Sequence, residues 1–182
     1  MGETTVKFTY SDLLTVPEDT NRYEIFEGEL IVSPSPTERH QNALSNLFGI
    51  LKPFVRNNKL GKIYTVPFDV FFDEETVVEP DILFIFRENL SIIEERCVKG
   101  PPDLIIEITS LKTESRDRGY KYRRYAKERV KEYWIVDPEK QFIEIFVLKD
   151  SDFELVKRYS GNDLVTSPLL SGLKFNVPEV WE

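Results

Sequence analysis

Two carboxylates and one lysine carry most of the chemistry that this sequence offers. Asp81, in Glu79-Pro80-Asp81, opens the apolar run Ile82 to Phe86, and Glu107 interrupts the run Leu104 to Ile108. Lys121 follows in a helix-like segment. Side chains alternate along a strand, so Asp81 shares a face with Leu83 and Ile85, and Glu107 shares one with Ile105 and Thr109. Buried carboxylates are tolerated when they pair with cations or bind metal. If the two strands are neighbours, Asp81 and Glu107 can share one hard cation, with the Ile108 carbonyl as a third oxygen ligand. Mg²⁺ suits such a site, and Mn²⁺ is compatible. A water acidified by that metal attacks a phosphodiester, and Lys121 would orient the water or offset charge in the transition state.

Lys121 shares a helix face with Tyr125, and Asp117 stands one turn earlier, where it could position the lysine. The same spacing equally describes an ordinary surface pair, worth about a few tenths of a kcal/mol. The surrounding segment, 112–131, has nine basic residues against three acidic, a net of +6 in a chain whose overall charge is −8. Within it, Arg116, Arg118, Arg123 and Arg124 are candidates for contacts to nucleic-acid phosphates. A solvated helix face fits such a charge run as well.

The elements that must position these residues are legible in outline. Phe8 to Leu14 reads as a capped helical turn and Pro17 to Asn21 as a loop. Tyr23 to Phe26 and Glu29 to Val32 form a hairpin about Glu27-Gly28. Ser35-Pro36-Thr37-Glu38 has the form of a capping box, so a helix is expected from there, with Leu44, Leu47, Phe48, Leu51, Phe54 and Val55 on its buried face. His40 lies on that face in the first turn. Lys62 to Phe72 and Thr76 to Phe86 read as an antiparallel hairpin, and Leu104 to Ile108 as a central strand covered on both sides. A helix over Thr113 to Arg129 and a β meander through Tyr133 to Val136, Phe142 to Leu148 and Phe153 to Tyr159 follow. At 182 residues and 41% hydrophobic, the chain is expected to form a single domain over 1–182. One cysteine, Cys97, and no signal-like or membrane-length apolar stretch point to a cytoplasmic protein.

The order Pro80-Asp81, Glu107-Ile108-Thr109-Ser110, Asp117, Lys121, Tyr125 and Glu132 to Pro138 resembles a restriction-endonuclease-like family of bacterial proteins. That family was formerly labelled a domain of unknown function and is placed in the PD-(D/E)xK nuclease superfamily. Tyr23 to Leu30, Ser33-Pro34 with His40, and Ser167 to Leu173 resemble it too, so the likeness spans essentially the whole chain.

The resemblance implies an α/β fold: a restriction-endonuclease-like core with a central mixed sheet flanked by helices, and an antiparallel meander toward the C-terminus. It implies Asp81 and Glu107 as metal ligands. Thr109 stands where the superfamily motif has lysine, so the resemblance makes Lys121 the substitute from the following helix. Related nucleases often complete the site with an acidic residue from the N-terminal region, which puts Glu29 forward, with Glu24 beside it. His40 is a candidate for binding phosphate or metal, or a satisfied boundary residue. The function that follows is a Mg²⁺-dependent endonuclease acting on DNA, and a homodimer would suit the cutting of two strands. The alternative is a catalytically inactive nucleic-acid-binding or interaction module retaining the nuclease fold.

Overall fold

The computed structural model describes residues 6–16, 19 and 21–182; Pro17, Glu18 and Thr20 of the expected loop lie outside them. A short helix, α1 (Tyr10–Leu13), begins at Thr9, whose backbone N–H donates to the Asp12 carboxylate at 2.8 Å. Strands β1 (Arg22–Phe26) and β2 (Glu29–Ser33) form the expected hairpin. Its two turn residues, Glu27 and Gly28, have φ of 52° and 85°, the left-handed pair that a tight two-residue hairpin turn requires.

Helix α2 (Glu38–Asn57) starts at Thr37 rather than at Ser35. The Thr37 hydroxyl accepts the His40 N–H at 3.3 Å, so this second cap wins and leaves Pro36 in the preceding loop. The shift places His40 third in the helix, pointing inward with Ala43, Leu44, Leu47, Leu51 and Val55.

The expected hairpin over residues 62–86 exists, but two prolines split it between two sheets. Strand β3 (Gly61–Thr65) is followed at Val66-Pro67 by β4 (Asp69–Asp73), then β5 (Thr76–Val78), and beyond Pro80 by β6 (Ile82–Phe86). Thr65 pairs with Ile82 and Gly61 with Phe86, whereas Val70 pairs with Val78. Proline lacks the N–H that would continue a ladder, so the chain changes sheets at both points.

A 3₁₀ turn (Arg87–Ile92) leads to β7 (Cys97–Lys99) and then to β8 (Leu104–Ile108), every residue of which is buried. The next helix is interrupted: α3 (Glu114–Arg116), a π-helical turn (Asp117–Lys121) and α4 (Tyr122–Lys127). Strands β9 (Glu132–Asp137), β10 (Phe142–Lys149) and β11 (Asp152–Ser160) make the antiparallel meander. The small pair β12 (Leu164–Thr166) and β13 (Lys174–Asn176) follows.

The central sheet has the order β11-β10-β9-β8-β6-β3 and is mixed, since β8 and β9 run parallel while its other pairs are antiparallel. The second sheet has the order β2-β1-β5-β4-β7. Alternation divides the central strands between two cores. Ile82, Phe84, Ile106, Trp134 and Val136 pack toward α2 and the C-terminal tail. Leu83, Ile85, Ile105, Tyr133 and Ile135 pack with Tyr125 of α4 and Val70 and Val78 of the second sheet. Burial on both faces explains the unbroken apolar character of β8. No described helix is long and apolar enough to cross a membrane.

Candidate active site

Glu79-Pro80-Asp81 is the strap by which the chain passes from the second sheet to the central one, and the candidate site lies at that seam. Ile82 of β6 pairs with Ile106 of β8, so Asp81, one residue earlier, comes opposite Glu107. Glu24 arrives from β1, His40 from the first turn of α2, and Asp117 and Lys121 from the π-helical turn. The five groups Glu24, Asp81, Glu107, Asp117 and Lys121 are each at most 4% exposed. With Arg22, Arg116 and His40 they line a cleft of about 310 Å³.

Each carboxylate is held by named donors. Asp81 Oδ2 accepts the Ile108 N–H at 2.7 Å and His40 Nε2–H at 3.2 Å, and Oδ1 accepts from Arg22 at 2.9 Å. Arg22 also pairs with Glu79 at 3.2 Å. Lys121 Nζ lies 2.8 Å from Glu24 Oε1 and 3.0 Å from Glu107 Oε1. Tyr125 donates its hydroxyl to Glu107 Oε1 at 2.6 Å, and the Glu79 N–H reaches Glu24 Oε1 at 2.9 Å. The Asp117 N–H donates to the Thr113 carbonyl at 3.0 Å, and the Thr113 hydroxyl lies 3.4 Å from that of Thr109. Thr109 thus supports the turn that delivers Lys121.

These surroundings push the carboxyls apart. Burial raises Asp81, but the His40 hydrogen bond and charge, Arg22 and the Ile108 N–H outweigh it and hold the group down at about 2. At Glu107 burial dominates; Lys121 opposes it, Asp117, Asp81 and Glu24 add to it, and the carboxyl rises to about 8. Burial disfavours the charged Lys121, yet Glu107, Glu24 and Asp117 more than compensate and keep it protonated. Burial also raises Asp117. Five carboxyls, counting Glu79, thus stand near Arg22, Lys121 and His40, and a divalent cation bound there would take the place of the proton that the raised Glu107 keeps at neutral pH.

Among the described residues, no three His, Cys, Asp or Glu side chains already enclose a single metal position. Mg²⁺ does not require that, because it commonly keeps several waters and takes one or two carboxylates. Asp81 and Glu107, hard oxygen donors opposite each other at a cleft, fit that demand. Both donors to Glu107 act on Oε1, and Lys121 is the cation that now joins Glu107 to Glu24.

A family model described as "Uma2: Putative restriction endonuclease" matches residues 10–178. The chain belongs to this family. Uma2 membership accords with the fold: a solved structure described as a "putative nuclease belonging to DUF820" from Anabaena variabilis superposes with a TM-score of 0.78 at 19% identity, covering 96% of this chain and 97% of that one. No functionally curated protein matches.

In this Uma2 chain the seam brings together Asp81, Glu107, Lys121, His40 and Asp117, and Arg116 lines the same cleft while bonding Ser33 at 3.1 Å. Glu29 does not join them. It is the exposed first residue of β2, and Glu24 reaches the site instead. Arg118 is committed to Glu114 and Glu144, and Arg124 is buried against Asp73 and Glu128, so neither guanidinium faces the cleft. Arg123 is exposed and lines no part of it. Arg22 was not singled out in the sequence, where one arginine before a short strand carries no distinguishing signal.

Proposed function

We propose that this chain is a divalent-metal-dependent endonuclease that hydrolyses phosphodiester bonds, with DNA as its substrate. The observation that carries the reading is the opposition of Asp81 and Glu107 at a cleft, with the Lys121 ammonium 3.0 Å from Glu107. Asp81 and Glu107 would hold Mg²⁺ or Mn²⁺. A metal bound there supplies a water acidified toward neutrality and a charge clamp on the phosphoryl oxygens.

The chain's own groups do the rest. Arg22, His40 and the Ile108 N–H keep Asp81 ionised and fix its orientation. Tyr125 fixes Glu107, and Glu24 holds Lys121 against it. Lys121, a buried permanent donor, orients the attacking water or offsets charge in the transition state. Arg116, at the cleft wall, is placed to meet backbone phosphate.

The test is cleavage of plasmid, linear and single-stranded DNA, and of RNA, with each metal. Asp81→Asn and Glu107→Gln should abolish it while circular dichroism stays native. Cleavage at the wild-type rate by both variants would sink the assignment.

One observation favours the second reading, an inactive binding module. The carboxylates already have internal cations in Lys121 and Arg22, and His40 is a further hydrogen-bond partner of Asp81. Calorimetric titration separates the two, since an inactive module shows no Mg²⁺ or Mn²⁺ binding that depends on Asp81 and Glu107.

A further inference from the structure

At the far end of α2 from His40, a second groove gathers positive charge. Lys52 and Arg56 of α2, Lys59 just beyond it, Lys62 of β3 and Arg87 after β6 line a hollow of about 400 Å³. Its other lining residues, Val55, Gly61, Ile63 and Tyr64, bear no charge. All five cations are exposed. Lys52 rests over the Phe48 ring at 4.8 Å, but none of the five has an ion-pair partner among the described residues.

The ordinary account of such residues is that cations near a helix C-terminus complement its dipole. That covers Lys52, Arg56 and Lys59 only. Lys62 comes from β3 and Arg87 from the 3₁₀ turn that follows β6, and both are fixed beside them by backbone contacts. The Arg87 N–H donates to Leu60 O at 2.9 Å, and Gly61 packs so tightly on β6 that a side chain there would collide with the Ile85 carbonyl oxygen. Five like charges without an acid between them repel, so an anion would stabilise this convergence. In a chain of net charge −8 it stands out as a local polyanion site.

Its position gives the ligand. Twelve residues of α2 separate His40 from Lys52 and sixteen separate it from Arg56, so the groove lies about 18–24 Å from the cleft along one continuous helix. Duplex DNA rises about 3.4 Å per base pair, so that span corresponds to roughly five to seven base pairs. We propose that this groove is a second nucleic-acid contact, one that grips the phosphate backbone about half a helical turn from the bond presented to the cleft. The inference rests on the nuclease reading, and extends it by a footprint longer than the cleft.

The test is fluorescence anisotropy with a labelled 20-base-pair duplex and the matching single strand, in EDTA, over a range of salt. The triple variant Lys52→Gln/Arg56→Gln/Lys62→Gln alters exposed side chains only, and its urea midpoint should match the wild type. Each lost phosphate contact lowers the slope of log affinity against log salt by about 0.9, so the variant should be shallower by about 2–3 and at least about tenfold weaker at low salt. The double variant Lys52→Arg/Lys62→Arg should bind like the wild type. Unchanged affinity and slope in the triple variant would overturn the groove and leave the cleavage reading standing. No binding by the wild type also overturns it, and a Mg²⁺ cleavage assay on the same strands then decides the nuclease reading by itself. Self-association that the triple variant abolishes, with nucleic-acid binding unchanged, would reassign the groove to a second copy of the chain.

Discussion

Glu24 and Glu107 come from different sheets and meet on one ammonium: Lys121 Nζ is 2.8 Å from the first and 3.0 Å from the second. The lysine therefore joins the two sheets as well as serving the proposed chemistry.

Removing that cation leaves buried carboxylates facing one another. Lys121→Ala should destabilise the metal-free chain by about 3–5 kcal/mol, the range for breaking a buried ion pair. Because the same carboxylates then attract a divalent cation more strongly, Mg²⁺ should recover part of the loss while cleavage stays absent. Urea unfolding with and without Mg²⁺ reads the first effect, and a plasmid assay the second. A metal-insensitive loss would mean that Glu24 and Glu107 do not see the ion.

Stability should depend on pH in two windows. Asp81 is held down at about 2, so its contribution is present above its ordinary 3.8 and is lost as pH falls from there through 2. Glu107 is raised from 4.5 to about 8, so the folded chain keeps a proton that the unfolded chain releases. Stability from Glu107 is therefore full below 4.5 and declines as pH climbs to about 8. Urea midpoints measured across both windows should fall on the alkaline side in the wild type and fall less steeply there in Glu107→Gln, where burial still raises Glu79 to about 7 and Asp69 to about 6. Added Mg²⁺, which favours the ionised carboxylate, should flatten the wild-type decline.

The signal that made Asp81 and Glu107 legible was a carboxylate inside an apolar run. Glu24, within Tyr23 to Phe26, carries that same signal, whereas Glu29 merely follows a turn, where charge is ordinary. The covered central strand and the meander were readable from the pattern of apolar residues, whereas the mixed sheet was implied only by the family resemblance. Alternation does not report which sheet a strand joins, so the division of residues 62–86 at Pro67 and Pro80 was not visible. Charge behaved similarly. The conspicuous run 112–131 is partly neutralised by acids outside it, Arg118 by Glu144, Lys121 by Glu24, Arg124 by Asp73 and Lys131 by Asp103, while the groove joins Arg87 to four less conspicuous cations of residues 52–62.

Two arginines of that run should therefore separate in experiment. Arg124 is buried and shared between Asp73 and Glu128, so Arg124→Ala should reduce stability by about 1–3 kcal/mol, as for a lost charged hydrogen bond, with DNA affinity per folded molecule unchanged. Arg116 lines the cleft and, among the described residues, makes no ion pair, its guanidinium bonding Ser33, so Arg116→Ala should leave the urea midpoint alone and weaken DNA binding. Parallel unfolding and anisotropy measurements on the two variants test this, and a reversal of the two phenotypes would refute the placement.

Glu132 belongs to the residues that resemble the nuclease family, yet its contacts are structural. Its side chain is fully buried and accepts the Trp134 indole N–H at 2.7 Å, the Ser167 hydroxyl at 2.6 Å and the Leu169 N–H at 2.9 Å, tying the C-terminal tail to β9. It lies opposite Leu104, three residues along β8 from Glu107. Glu132→Ala orphans three buried donors at about 1–3 kcal/mol each, so a loss of several kcal/mol is expected. Glu132→Gln keeps one carbonyl acceptor but turns an amide N–H₂ toward a remaining donor, and should fall between the two. Because none of these contacts reaches the cleft, cleavage per folded molecule should be unchanged in Glu132→Gln. A drop in specific activity with a native urea midpoint would instead make Glu132 part of the active site.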